Sequence, residues 1–207
     1  MKKTLLLCTI ILMSLGASAQ TAGKVTFQGA LALLQYITGN VEPAPKDIVE
    51  ASGLRLVYYS CYDEGEFDSS AFYYTRNANI SGEYDEENMC RKAEKTGGHA
   101  YILGVECATS SGGEIRFSTK EDYDRFFREA VAYGLQQDRE GVEYNMPHYF
   151  IDRKQLNPGR IEQVPNQELF AAYMDEEAEA KYNPQFMLVP KGKTGDGWYT
   201  YHIGIDF

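Results

Sequence analysis

Residues Ala100–Gly134 read AYILGVECATSSGGEIRFSTKEDYDRFFREAVAYG, and this stretch holds the fold class in miniature. Tyr101, Leu103, Val105 and Cys107 fall on alternate positions, the period of a strand with one buried face. Ser110-Ser111-Gly112-Gly113 reads as a turn, and Glu114–Phe117 as the returning strand. Ser118 stands three residues before Glu121, the spacing of a capping box at a helix start. Tyr123, Phe126, Phe127, Ala130, Val131 and Gly134 then recur at i, i+3, i+4, i+7, i+8 and i+11. That is one apolar face at helical spacing, with Gly134 stopping the helix.

Toward the N-terminus, Phe27–Ile37 is rich in Ala and Leu and predicts a helix, with Phe27, Leu31 and Leu34 on one face. Gly39-Asn40 and Pro43-Ala44-Pro45 end it. Asp47–Ala51 predicts a short helix capped by Gly53 in the left-handed conformation. Leu54–Tyr62 and Ala71–Arg76 are apolar, aromatic strands around an acidic turn at Asp63-Glu64-Gly65-Glu66. Met89, Cys90 and Ala93 suggest a short helix stopped by Gly97-Gly98.

Toward the C-terminus, Tyr149–Ile151 and Arg160–Val164 predict short strands, and Asn166 caps a helix running to about Tyr182. A closing hairpin pairs Phe186–Val189 with Trp198–Phe207. In its last strand Tyr199, Tyr201, Ile203, Ile205 and Phe207 face the core, and Trp198, Thr200, His202, Gly204 and Asp206 face away. Helices and hairpins in mixed order predict one α+β domain, residues 20–207: an antiparallel sheet of five to seven strands with helices mainly on one face. Helix, Gly and Leu recur at Ala51–Leu54 and Ala132–Leu135, a faint echo that capping alone accounts for.

The first 19 residues have a different character. Met1-Lys2-Lys3 is basic, Thr4–Leu15 is apolar, and Gly16-Ala17-Ser18-Ala19 presents small residues before Gln20. This is the layout of a secretory signal peptide cleaved at Ala19/Gln20, with a core too short to span a bilayer. The segment resembles the signals of Gram-negative exports, and Ala-Gln at the cut resembles those of Bacteroidetes. A periplasmic or secreted protein is therefore expected, with no membrane span. Cys8 lies inside the apolar run without a small residue before it, so no lipid anchor is expected.

Removing 19 of the 207 residues leaves 188, and losing Lys2 and Lys3 takes the formal charge from −10 to −12. That balance argues against nucleic-acid binding, which needs Lys and Arg on phosphates. Cationic partners, small ligands or metal ions stay open, and a cationic protein or a glycan is the expected partner. Cys61, Cys90 and Cys107 remain, an odd count in an oxidising compartment, and Cys90–Cys107 is the expected bridge with Cys61 free.

Chemical motifs are sparse. Asn77–Asn88 spaces oxygen-bearing residues around Gly82 like a calcium loop, but it begins with Asn and lacks a carboxylate at its twelfth position. A polar loop is expected there, and no metal or cofactor. No Gly-x-Ser-x-Gly, His-Glu-x-x-His or Walker pattern occurs, so no catalytic residue is named. Sixteen Tyr are the other unusual feature. Tyr58-Tyr59 and Tyr73-Tyr74 each place one ring on either side of a strand. Tyr59, Tyr74, Trp198 and His202 are the expected ligand-binding set on an exposed aromatic face. The favoured function is an exported, non-catalytic binding protein. The alternatives are a secreted hydrolase using carboxylate or Cys–His chemistry and a structural envelope component.

Overall fold

The computed structural model describes residues 23–38, 42–63, 68–85, 90–107, 111–137, 147–152 and 185–206. The expected signal peptide, the strand at 160–164 and the helix from Asn166 lie outside these. Three helices are described: α1 (Phe27–Ile37), α2 (Lys46–Ser52) and α3 (Lys120–Tyr133). The strands are β1 (Arg55–Asp63), β2 (Asp68–Arg76), β3 (Ala78–Asp85), β4 (Cys90–Lys95), β5 (Tyr101–Cys107) and β6 (Ser111–Phe117). They continue with β7 (Gln136–Gln137), β8 (Tyr149–Asp152), β9 (Gln185–Lys193) and β10 (Tyr199–Asp206).

Eight strands form one sheet in the order β1-β2-β5-β6-β10-β9-β8-β7, one more than the upper expectation, and every neighbouring pair is antiparallel. β3 and β4 pair separately as a two-stranded ribbon. The ribbon corrects two expectations. The stretch around Asn77–Asn88 is strand β3 over Ala78–Asp85 and not a polar loop, and the expected helix near Met89–Ala93 is strand β4. Their charged side chains stay half-exposed or exposed, so the residues show neither helical nor strand apolar periodicity.

The helix ends follow local chemistry. Thr26 caps α1, its hydroxyl accepting from the Gly29 amide. Gly53 and Gly134 close α2 and α3 at φ 79° and 126°. The α3 cap is Thr119 rather than Ser118, and Thr119 Oγ1 accepts from the Asp122 amide at 3.2 Å. Ser118 serves the strand side instead, donating to the Gly98 carbonyl and accepting from the Ala100 amide.

One core cluster unites Leu31, Leu34, Val49, Phe126 and Ala130 of the helices with sheet residues. Those sheet residues are Phe72 and Tyr74 of β2, Leu103 and Val105 of β5, Ile115 and Phe117 of β6, and Tyr201 and Ile203 of β10. The face that presents them is called inner. Phe117 sits at its centre, 5.0 Å from the Phe126 ring and 6.2 Å from Tyr201, which stacks on Tyr123 at 4.0 Å. Ring pairs in these arrangements add about 0.5–1.5 kcal/mol each beyond burial. Val131, expected on the apolar stripe of α3, is 48% exposed.

A second, smaller cluster lies on the opposite, outer face. Ala78, Ala100, Ile102 and Trp198 are buried there, with Ile80 and Ala93 against them. Ala78, Ile80 and Ala93 belong to the ribbon and Ile102 to β5, so the ribbon covers part of the outer face. Lys95 Nζ clamps it, lying 4.9 Å from the Trp198 ring and donating to the Gly197 carbonyl at 2.9 Å.

Candidate functional site: a cavity between sheet and ribbon

The strand register places one row of residues straight across the outer face. Tyr58 of β1 pairs with Tyr73 of β2, Tyr73 with Gly104 of β5, Gly104 with Glu114 of β6, and Glu114 with His202 of β10. Residues opposite one another on neighbouring strands stand about 4.5–5.5 Å apart, so their side chains interact directly. Gly104 is the gap in the row. The Tyr73 ring lies over it so closely that a Cβ there would meet Tyr73 Cε1 at 2.7 Å.

Glu114 and His202 are in hydrogen-bond contact, His202 Nε2 to Glu114 Oε1, at 2.8 Å. The other Glu114 oxygen, Oε2, accepts from Arg116 Nε at 3.1 Å. Arg116 Nη1 donates to Asp196 Oδ2 at 3.2 Å, in the turn between β9 and β10. The Arg116 side chain is only 4% exposed, yet its Nη2 has no hydrogen-bond partner among the described residues. Burial pulls the Arg116 guanidinium below its ordinary value while Asp196 opposes the shift, and guanidinium stays cationic in proteins.

The ribbon roofs this row. Arg91 of β4 lays its guanidinium 3.7 Å from the Tyr58 ring centroid and 5.5 Å from that of Tyr73, and Nη1 donates to the Gly82 carbonyl of β3. Between roof and sheet lies a cavity of about 210 Å³. Gly104, Gly112, Glu114, Arg116 and His202 contribute to it from the sheet, and Tyr84 and Arg91 from the ribbon. Tyr73 and Glu106 line it too, and the Tyr73 phenol is pushed up to about 12, first by burial and then by Glu106, with Arg91 opposing. At neutral pH that hydroxyl keeps its proton and can both donate and accept.

The four residues expected to bind ligand are not brought together. His202 lines the cavity. Trp198 is 1% exposed in the second cluster, a packing anchor for the ribbon and not an exposed platform. Tyr74 is fully buried in the inner core, stacked near Phe72, so the expectation of an exposed ring is corrected. Tyr59, 36% exposed, stacks on Phe72 at 5.2 Å, on the inner side. The cavity uses the other ring of the second pair, Tyr73, and Arg91 lies over the other ring of the first, Tyr58. A register shift between Leu56 and Tyr58 sets which ring of the first pair faces which side, and such an irregularity is invisible to simple alternation.

Arg116 and Glu114 went unrecognised in the sequence reading. The signal available was Glu114-Ile115-Arg116-Phe117, two opposite charges alternating with two apolar residues on a predicted strand.

Both oxygens of Glu114 are engaged. Cys107 is a free thiol buried on the inner face, pushed up to about 12 by burial, so it is not a thiolate at neutral pH. Cys61 is free and exposed. The expected Cys90–Cys107 bridge is not found among the described residues, which do not include the Cys90 side chain.

His99 stands elsewhere, its Nδ1 2.6 Å from Oδ2 of the fully buried Asp122. That carboxylate also accepts from Thr119 Oγ1 at 2.9 Å and Arg125 Nη2 at 3.3 Å. Burial pushes its carboxyl up, but the bonds from His99, Thr119 and Arg125 outweigh burial and hold it below its ordinary value. This cluster fastens the start of α3 to the chain entering β5.

The site therefore defines a class by geometry alone: a strand-dominated α+β protein with a small polar cavity on the outer face of its sheet. Comparison of the chain with known protein families, curated proteins and solved structures gave no match. No described helix is long and apolar enough to cross a membrane.

Proposed function

We propose that this is an exported, non-catalytic binding protein, released as Gln20–Phe207, and that the cavity between the outer face and the β3–β4 ribbon is its ligand site. The chain is taken as one domain whose helices pack mainly on the inner face. One observation carries the assignment. Arg116 is buried in the cavity wall with Nη2 unpartnered, and leaving a buried donor unmade costs about 1–3 kcal/mol. A ligand oxygen that reached Nη2 from the cavity, which Arg116 lines, would relieve that cost. Hydrolysis is the weaker reading, because both oxygens of Glu114 are already bonded, to Arg116 and to His202, and the Cys107 thiol lies in the inner core.

Export is tested by the intact mass and N-terminal sequence of the protein recovered from envelope and culture fluid. The expected start is Gln20, free or cyclised, and a chain retaining Met1 overturns this part. Binding is tested by the thermal shift of the mature chain against sugars, carboxylic acids and amines. The expected result is a shift with one chemical class that Gly112→Leu abolishes. Turnover of a probe in place of saturable binding would move the reading to the hydrolase.

A further inference from the structure

Resting on that site, the charge and shape of the cavity point to its ligand class. The lining carries two cations, Arg91 and Arg116, and two carboxylates, Glu106 and Glu114, beside His202. Arg116 already faces Glu114 at 3.1 Å and Asp196 at 3.2 Å. An anionic ligand would be a third negative charge around one guanidinium. A cationic ligand would have to approach Arg91 and Arg116 in the same small space. Neither sign of charge is selected.

Unfilled hydrogen-bonding capacity is nevertheless concentrated here. Arg116 Nη2 needs an acceptor. Glu106 and Glu114 keep lone pairs for donors beyond the bonds they make, since each carboxylate accepts about four. In the register Glu106 stands opposite Gly112 and Glu114 opposite Gly104, so the two carboxylates form a diagonal pair across β5 and β6. A group that both donates and accepts, without charge, satisfies such a wall. A hydroxyl is such a group.

Shape narrows the choice further. The floor at Gly112 is open, for a Cβ there would meet nothing nearer than the Ile203 carbonyl oxygen at 3.9 Å. Tyr73 lines one wall, and Tyr84 lines the cavity while remaining 51% exposed. Aromatic faces carry negative quadrupole charge and take the polarised C–H face of a ring. The volume of about 210 Å³ admits a single small ring.

We infer that the cavity binds one neutral polyhydroxylated ring, a monosaccharide unit. Arg116, Glu114 and Glu106 take its hydroxyls, and a tyrosine ring takes its apolar face. The unit is either a free sugar or the terminal residue of a glycan entering past Tyr84.

The experiment is a ¹H–¹⁵N titration of Gln20–Phe207 with neutral hexoses, the corresponding uronic acids and the corresponding amino sugars. Immobilised glycans ending in the same hexoses form a separate arm. At least one neutral hexose is expected to bind at least tenfold more tightly than its charged analogues. Gly112→Leu, which fills the open floor, is expected to abolish binding while keeping the spectrum of a folded chain. Tyr84→Ala is expected to weaken it at least threefold. Capture on immobilised glycan without binding of the free sugar identifies the glycan source, and the reverse identifies the free sugar. A uronic acid or amino sugar that binds more tightly, with Gly112→Leu still abolishing it, overturns the ligand class and leaves the site standing. If no probe gives shifts that Gly112→Leu removes, both the class and the site are overturned.

Discussion

The two faces of the central sheet differ by a single step in register. On the inner face one row runs Tyr74, Leu103, Ile115 and Tyr201, all buried apolar or aromatic side chains. One residue away on each strand, the outer row runs Tyr73, Gly104, Glu114 and His202. The same backbone ladder thus serves a close-packed core on one side and a polar cavity on the other. The inner row has volume where the outer row has a gap at Gly104, and apolar or aromatic side chains where the outer row has the bonded Glu114 and His202. Close packing and the polar cavity are divided by the pleat, because side chains alternate with period two.

The most severe test of that division is Phe117→Ala. Phe117 is fully buried among Tyr101, Phe126 and Tyr201, and its truncation should cost about 3–5 kcal/mol. Urea unfolding should show a large fall in midpoint; a cost below about 1 kcal/mol, where surface substitutions usually fall, would place the core elsewhere.

Trp198→Ala tests the outer face next. Loss of the Trp198 anchor should free the ribbon locally, with faster amide exchange in β3 and β4 and little change in β6 or β10. Uniform acceleration across both sheets would mean that the two faces unfold as one unit.

Asp122→Asn follows, at about 1–3 kcal/mol for a buried network left partly unmade. The sign with pH is fixed. The folded carboxyl lies below its ordinary value of 3.8, so the unfolded chain binds more protons in acid. The contribution of Asp122 is complete above that ordinary value and lost as pH falls through the lower, folded one. Thermal melts between pH 2 and 6 should show a shallower acid limb for Asp122→Asn than for the wild type.

The smallest effect is expected at Tyr84→Ala, within about 0.5 kcal/mol of wild-type stability because the ring is half-exposed on the ribbon. A change in ligand affinity without a change in melting temperature would sharpen the contrast between the faces.

The inner face was largely legible. The alternation of Tyr199, Tyr201, Ile203 and Ile205 and the spacing of Phe126 and Ala130 identified core positions, because burial of apolar side chains imposes its period on the residues. The outer face was legible only in part. The parity of the last strand places His202 on this face, whereas the ribbon residues read as a loop and a helix. In β3 and β4 both sides are mostly wet, so Glu83, Asp85, Lys92 and Glu94 carry no pattern that distinguishes strand from turn. The roof residues Tyr84 and Arg91 were hidden with it. Trp198 was misjudged for the same reason, since its cover is the ribbon itself.

The ribbon enters and leaves the sheet at one point. β2 and β5 are direct neighbours, and the last residue of the first, Arg76, pairs with the first residue of the second, Tyr101. The ribbon strands β3 and β4 thus lie, in sequence, between two adjacent antiparallel strands. Insertions at such junctions are tolerated because loop closure costs grow slowly with length. The hydrogen-bonded ladder between β2 and β5 thus sets no length for the segment between them, and the ribbon is held to the sheet by side chains at the Trp198 cluster.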